Sequence, residues 1–126
     1  MEPFVKKQFK ACAEQLEKLN QSQIVELPVV LIEAFDQTKS FVENFQKIDN
    51  LKSYEFKLEQ IFLKWDEAII SLEIINPLIS DIIKDIRKYF LNPSEFLIEI
   101  QNTDDKMNLF LLLDKSIHSM RKPRKI

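Results

Sequence analysis

A chain of 126 residues and 15.0 kDa is long enough to bury a core without disulfides or metal, and one domain is expected. It contains no glycine, where average usage of roughly 7% would supply about nine, so tight primed hairpins, nucleophile elbows and phosphate-cradling loops are largely excluded. With 30% charged and 45% hydrophobic residues the balance is that of a folded soluble protein, and the net charge of −2 conceals an acidic body followed by a basic end: Lys115 to Ile126 carries basic residues and no acid.

The first predicted helix begins at Pro3, where the missing amide hydrogen costs nothing, and places Val5, Phe9, Cys12, Leu16 and Leu19 on one face before fraying at Asn20 to Gln23. Cys12 is the only cysteine, so no internal disulfide forms, and its place on the apolar face makes it an inert core thiol. A reduced, cytoplasmic setting is expected. Met1 to Cys12 has no signal-peptide apolar region, and the longest apolar run, Leu109 to Leu113, is far short of the roughly 20 residues of a membrane span. Leu27-Pro28 marks the next boundary. From Pro28 to Ile48 a second helix shows Leu31, Phe35, Thr38, Val42, Phe45 and Ile48 at spacings of three or four, whereas Ile24 to Leu27 fits either an extended link or extra helix.

Asp49-Asn50 is a polar junction, with Asn50 suited to cap the long helix that follows. From Leu51 to Phe90 one heptad register runs without a slip. Its first positions are Leu51, Leu58, Trp65, Leu72, Ile79 and Ile86, and its fourth positions Tyr54, Ile61, Ala68, Ile75, Ile82 and Tyr89. Phe62, Ile69, Ile83 and Phe90 at the fifth position widen the stripe beyond a two-stranded seam and suit a multi-helix bundle. Pro77 lies inside this register, and because the phase continues across it the sequence favours a kink in one long helix over a chain reversal. It falls at the sixth, outward position, where Phe56, Leu63 and Ile70 hint at a second contact.

Asn92-Pro93-Ser94-Glu95 predicts a new start, with Asn92 as N-cap, Pro93 in the first helical position and Glu95 completing a capping box. That helix carries Phe96, Leu97 and Ile100 and meets Asn102-Thr103-Asp104-Asp105, where it kinks or restarts with Thr103 or Asp104 as cap. The last helical stretch uses Met107, Phe110, Leu113, Ile117 and Met120. Leu109 and Leu112 lie off that stripe, so the helix is apolar around much of its circumference and is either deeply buried or pressed against a second surface. Arg121, Lys122, Arg124 and Lys125 form a basic tail, read as a disordered solubilising segment. Nucleic acid is not expected as a partner, because the acidic body would repel it.

Chemistry finds little purchase. A di-iron bundle needs two Glu-x-x-His pairs, and the single histidine, His118, is preceded at that spacing by Lys115. Zinc sites fail the same count, nucleophile-and-base sets lack a base, and Glu59, Asp66 and Glu73 share one solvated face. No cofactor or metal is expected, and the chain is read as non-enzymatic. Trp65, at a central first position, is more often a core residue than a ligand contact, but its indole N–H needs a partner, which leaves room for a role at a groove edge.

Two patches, Trp65-Asp66-Glu67 with Leu72-Glu73 and Pro77-Leu78-Ile79, and Leu111-Leu112-Leu113-Asp114-Lys115-Ser116-Ile117, resemble the flagellar export-chaperone family that serves the filament-cap protein. The resemblance touches roughly the second half of the chain. It implies a small glycine-poor helical bundle that binds other proteins, with a terminal helix able to cover the binding surface. Ile74, Ile75 and Asn76 stand where that family usually carries an arginine, and some fifty residues ahead of the matching part have no counterpart.

The expected architecture is all-α: a single up-and-down bundle of about four helices over residues 1–120, with a long, proline-kinked third helix, and a basic tail at 121–126. The expected function is binding another protein, as an adaptor or export-chaperone-like module, with a helix laid in an apolar groove formed by Phe62, Trp65, Ile69, Leu109 and Leu112. The alternative is a structural subunit of a larger helical or coiled-coil assembly. Self-association is left open.

Overall fold

The computed structural model describes residues 4–22, 27–45 and 51–121, and among them every regular element is a helix: α1 (Phe4–Ser22), α2 (Val29–Asn44), α3 (Leu51–Ile75), α4 (Pro77–Leu91), α5 (Ser94–Gln101) and α6 (Thr103–Arg121). α3 packs against α2 and α4, α1 against α4 and α6, and α2 against α6, so five helices close a ring in the order α1, α4, α3, α2, α6. The short α5 crosses one end, touching α1, α4 and α6. None of the helices, among the described residues, is long and apolar enough to cross a membrane.

The expected kink at Pro77 is a chain reversal. α3 stops at Ile75, and Asn76 is extended (φ −153°, ψ 92°) with its side-chain oxygen accepting from the Ile79 amide at 3.1 Å. Pro77 then occupies the first position of α4, where its fixed φ suits a helix start and its missing N–H leaves nothing unpaired. Arg87 donates to Asp66 at 2.6 Å, Lys84 lies 3.6 Å from Glu73, and Ser80 Oγ donates to the Ile69 carbonyl, which fixes α3 and α4 as antiparallel arms. The heptad phase survives the reversal because both arms turn the same side-chain positions toward one core, so the continuity that argued for a kink carries no information about direction. Pro77→Ala is accordingly expected to destabilise slightly, by about 0.4–1 kcal/mol through a looser unfolded chain. Asn76→Ala is expected to cost about 1 kcal/mol through the lost cap. Urea denaturation of both variants checks this, and a more stable Pro77→Ala protein would restore the kink.

Other boundaries move for similar local reasons. α2 ends at Asn44, with Phe45 already extended (φ −73°, ψ 129°), short of the expected Ile48, and Pro28 precedes the helix as its cap residue. Asn50 and Ile48 lie outside the described residues. Asn92 ends α4 instead of capping α5, whose cap residue is Pro93 and which has no side-chain cap bond. Between α5 and α6 the cap is Asn102, not Thr103 or Asp104: it is extended (φ −76°, ψ 124°), and its side-chain oxygen accepts from the Asp105 amide at 3.0 Å.

An aromatic spine holds the ring together. Trp65 sits fully buried, edge-on to Phe35 (centroids 5.1 Å apart) and Phe9 (5.9 Å) and stacked on Phe90 (6.3 Å), so that α1, α2, α3 and α4 meet on one indole. Its N–H donates to Thr38 Oγ1 at 3.0 Å, and the Thr38 hydroxyl in turn donates to the Ala34 carbonyl at 2.7 Å, which leaves neither buried polar group orphaned. The spine continues from Phe90 to Phe96 (4.9 Å) on α5 and on to Phe41, Phe45 and Tyr54. Val5, Phe9, Cys12 and Leu16 of α1 and Leu31, Phe35, Thr38, Val42 and Phe45 around α2 are all buried, as their spacing predicts. Cys12 is fully enclosed, and burial pushes its thiol pKa up to about 12, the state of an unreactive packing residue.

α5 is tied to α1 by a cap supplied from outside the helix. The two carboxylate oxygens of buried Glu99 accept from the Val5 amide at 3.1 Å and the Lys6 amide at 2.9 Å, two of the N–H groups that a helix start leaves without an internal partner. Burial raises the Glu99 pKa above the ordinary carboxylate value, with Asp105 adding to the rise and the two amide bonds opposing it.

Candidate functional site

The five residues expected to form one groove are not brought together. Trp65, Ile69 and Leu109 are core: Trp65 and Leu109 are fully enclosed, and Ile69 is nearly so. Trp65 cannot stand at a groove edge because the partner its indole needs is the Thr38 hydroxyl, inside the ring. Leu109 belongs to the buried stripe of α6, which runs Leu109, Leu113, Ser116, Ile117 and Met120; Met107, placed on that stripe by sequence, is exposed. A helix apolar on several sides does not reveal its phase. Half-buried Leu112 lines a shallow groove between α1 and α6 with Lys10, Leu111 and Lys115, while half-buried Phe62 faces the opposite side of the molecule. Of the basic tail, Arg121 is the last residue of α6 and pairs with Asp36 of α2; Lys122, Arg124 and Lys125 lie outside the described residues.

Phe62 leads to the feature that sequence only hinted at. α3 has 25 residues and α4 has 15, and the pairing of Trp65 with Phe90 brings α4 to its end beside the middle of α3. About twelve residues of α3, roughly 18 Å at 1.5 Å per residue, therefore run on without an antiparallel neighbour on that side. Where α4 stops, the chain turns through Asn92-Pro93 into α5. The space left between is an open groove lined by Leu58, Phe62, Leu63, Phe90, Leu91 and Leu97, with Glu55 and Glu59 on its α3 rim. Leu58, Phe90 and Leu97 form its buried floor, and Leu63 and Leu91 stand exposed at its lips.

From Leu63 the apolar surface continues along the solvent side of α3. Phe56 (70% exposed), Leu63 (52%) and Ile70 (63%) recur every seven residues, and Ile74 (92%) extends the ridge to the hairpin tip, where Ile75 and Leu78 are exposed too. Single exposed apolar side chains are ordinary, but four large ones aligned on one helix face, with Glu59, Gln60, Asp66 and Glu67 in the turns between the first three, are more than a solvated face needs and point to an interaction surface. Phe56, Leu63 and Ile70 of this row hold the outward heptad position that already stood out, and Ile74, at the third position, lies one turn beyond Ile70.

Among the described residues no group of three or more His, Cys, Asp or Glu side chains is placed to hold a metal ion. Asp66 and Glu73, beside the ridge, are engaged by Arg87 and Lys84. On the surface, the pKa of Asp114 is lowered by its 2.7 Å hydrogen bond and charge interaction with Lys39, an α2–α6 tie.

No family model, curated protein or solved structure matches the chain.

Proposed function

We propose that the protein is a non-enzymatic protein-binding module that docks a helix of its partner on the outer face of α3, along the ridge of Phe56, Leu63, Ile70 and Ile74 and into the groove at its end. The observation that carries this is the exposed apolar row itself: four large side chains that a solvated helix face would not hold. A helix laid against a preformed apolar groove is the recognition mode suited to such a surface, since its own side chains at i, i+3, i+4 and i+7 supply the complementary stripe. An export-chaperone role, which the resemblance of the second half implies, is the specific form of this proposal and requires reversible binding by a chain that is folded on its own.

The spacing of seven between Phe56, Leu63 and Ile70 also suits a permanent coiled-coil seam, and so favours the second reading, a structural subunit of a helical assembly. The two differ in the isolated chain: an adaptor stays soluble and folded alone, whereas an assembly subunit aggregates or needs its partner during expression.

Leu63→Asp and Phe56→Asp test the surface. Both positions face solvent, so thermal stability is expected to stay within about 0.5 kcal/mol of the parent. Proteins retained by the parent chain from its native source are expected to be lost from both variants and kept by Leu112→Asp, on the far side of the ring. Retention of the same proteins by all three variants would place binding elsewhere.

A further inference from the structure

Resting on the protein-binding reading, we infer that the groove at the end of α4 selects an amphipathic helix whose apolar stripe is flanked by lysine or arginine. The walls are Leu58, Phe62, Leu63, Phe90, Leu91 and Leu97, and among the described residues the charged side chains lining it are Glu55 and Glu59, with no lysine or arginine beside them. Both glutamates are exposed, one turn apart on α3, and neither takes part in a described ion pair. The other acidic residues of this flank, Asp66 and Glu73, are already held by Arg87 and Lys84, so among the described residues of the flank the acidic charge without an ion-pair partner lies at the groove.

A helix entering the groove buries its stripe against the apolar walls and brings its flanking side chains beside Glu55 and Glu59. Basic flanks find opposite charge as the rim loses water, whereas acidic flanks meet like charge at short range, where repulsion grows as the local dielectric falls. The groove thus has an attractive device, its apolar walls, and a repulsive one, its rim, and the second discriminates among helices that would satisfy the first.

The test uses the full chain and two synthetic peptides of about 18 residues, long enough to span about 27 Å as a helix, with an identical leucine stripe and either lysine or glutamate on both flanks. Fluorescence anisotropy is expected to show the lysine peptide binding about tenfold or more tightly at low salt, with the gap narrowing at about 0.3 M salt as the rim charges are screened. Glu55→Lys with Glu59→Lys, at two exposed positions, is expected to reverse the preference, and Leu63→Asp to weaken both peptides. Equal affinity of the two peptides, both still weakened by Leu63→Asp, would overturn the charge selection and leave helix binding standing. Binding of neither peptide would overturn both, and an unchanged preference in the double-lysine variant would overturn the assignment to this rim.

Discussion

Replacing Trp65 by alanine is expected to remove about 3–5 kcal/mol of stability, a large part of the 5–15 kcal/mol that a domain of this size holds. The indole is fully buried and touches Phe9, Phe35 and Phe90 from three other helices, so its loss opens a cavity at the one point where the four helices meet. Elements converging from around a ring cannot all relax into that space, which puts the site toward the costly end of large-to-small substitutions. Trp65→Phe separates the polar part: it keeps an aromatic ring but withdraws the donor from Thr38 Oγ1, whose own donation to Ala34 survives, and about 1–2 kcal/mol is expected. Urea denaturation followed by circular dichroism measures both. A loss under about 1 kcal/mol for Trp65→Ala would remove the tryptophan from the centre of the packing.

The sequence marks which residues go inside far better than it marks the path of the chain. Leu58, Trp65, Leu72, Ile79 and Ile86 are all buried, as one heptad register predicts, yet the register spans two helices running in opposite directions. Hydrophobic periodicity reports the angle of a side chain around its helix axis, and that angle is the same in a helix that continues and in one that folds back onto the same core. The cue to the reversal was local. Asn76-Pro77 repeats the dipeptide of Asn92-Pro93, and at both places a helix ends at or beside the asparagine. At the second, Glu95 after Asn92-Pro93 completes a capping-box pattern and marks a helix start; at the first no such pattern follows, and the unbroken phase argues for a kink.

The candidate surface was half legible for the same reason. Phe56, Leu63 and Ile70 at an outward position can be read directly, because an apolar residue opposite the core stripe has no partner within its own bundle. The groove cannot, since it follows from α4 being shorter than α3, a difference that exists only once the turn is placed at Asn76. The core place of Trp65 is legible from its central position, while a groove edge stayed open because its N–H needed a partner, and that partner is a threonine 27 residues away on a neighbouring helix. No spacing within one helix could have indicated it.

Ending the chain after Asn102 is expected to abolish folding. α6 buries Leu109, Leu113, Ile117 and Met120, and at about 2–5 kcal/mol for each large side chain lost the total exceeds what a marginally stable domain can give up. It is also the ring member between α1 and α2, held by Lys39 to Asp114, Arg121 to Asp36, and Lys106 to the Phe45 carbonyl, so its removal bares the faces of both neighbours. A lid over a binding groove would behave in the opposite way, leaving a soluble, folded remainder that binds more tightly. The arrangement of the helices speaks against a lid on this groove: no residue of α6 lines it, and α6 stands in the ring between α1 and α2, so that opening it would uncover those two helices instead. Hydrogen exchange on the intact chain distinguishes the two without a truncation that fails to fold. Protection around Leu113 and Ile117 is expected to match that along Leu58 to Ile69, because both stretches open only when the ring does. Markedly faster exchange confined to α6, or a cooperative unfolding transition in the chain ending at Asn102, would make α6 a detachable cover and place a second binding surface beneath it.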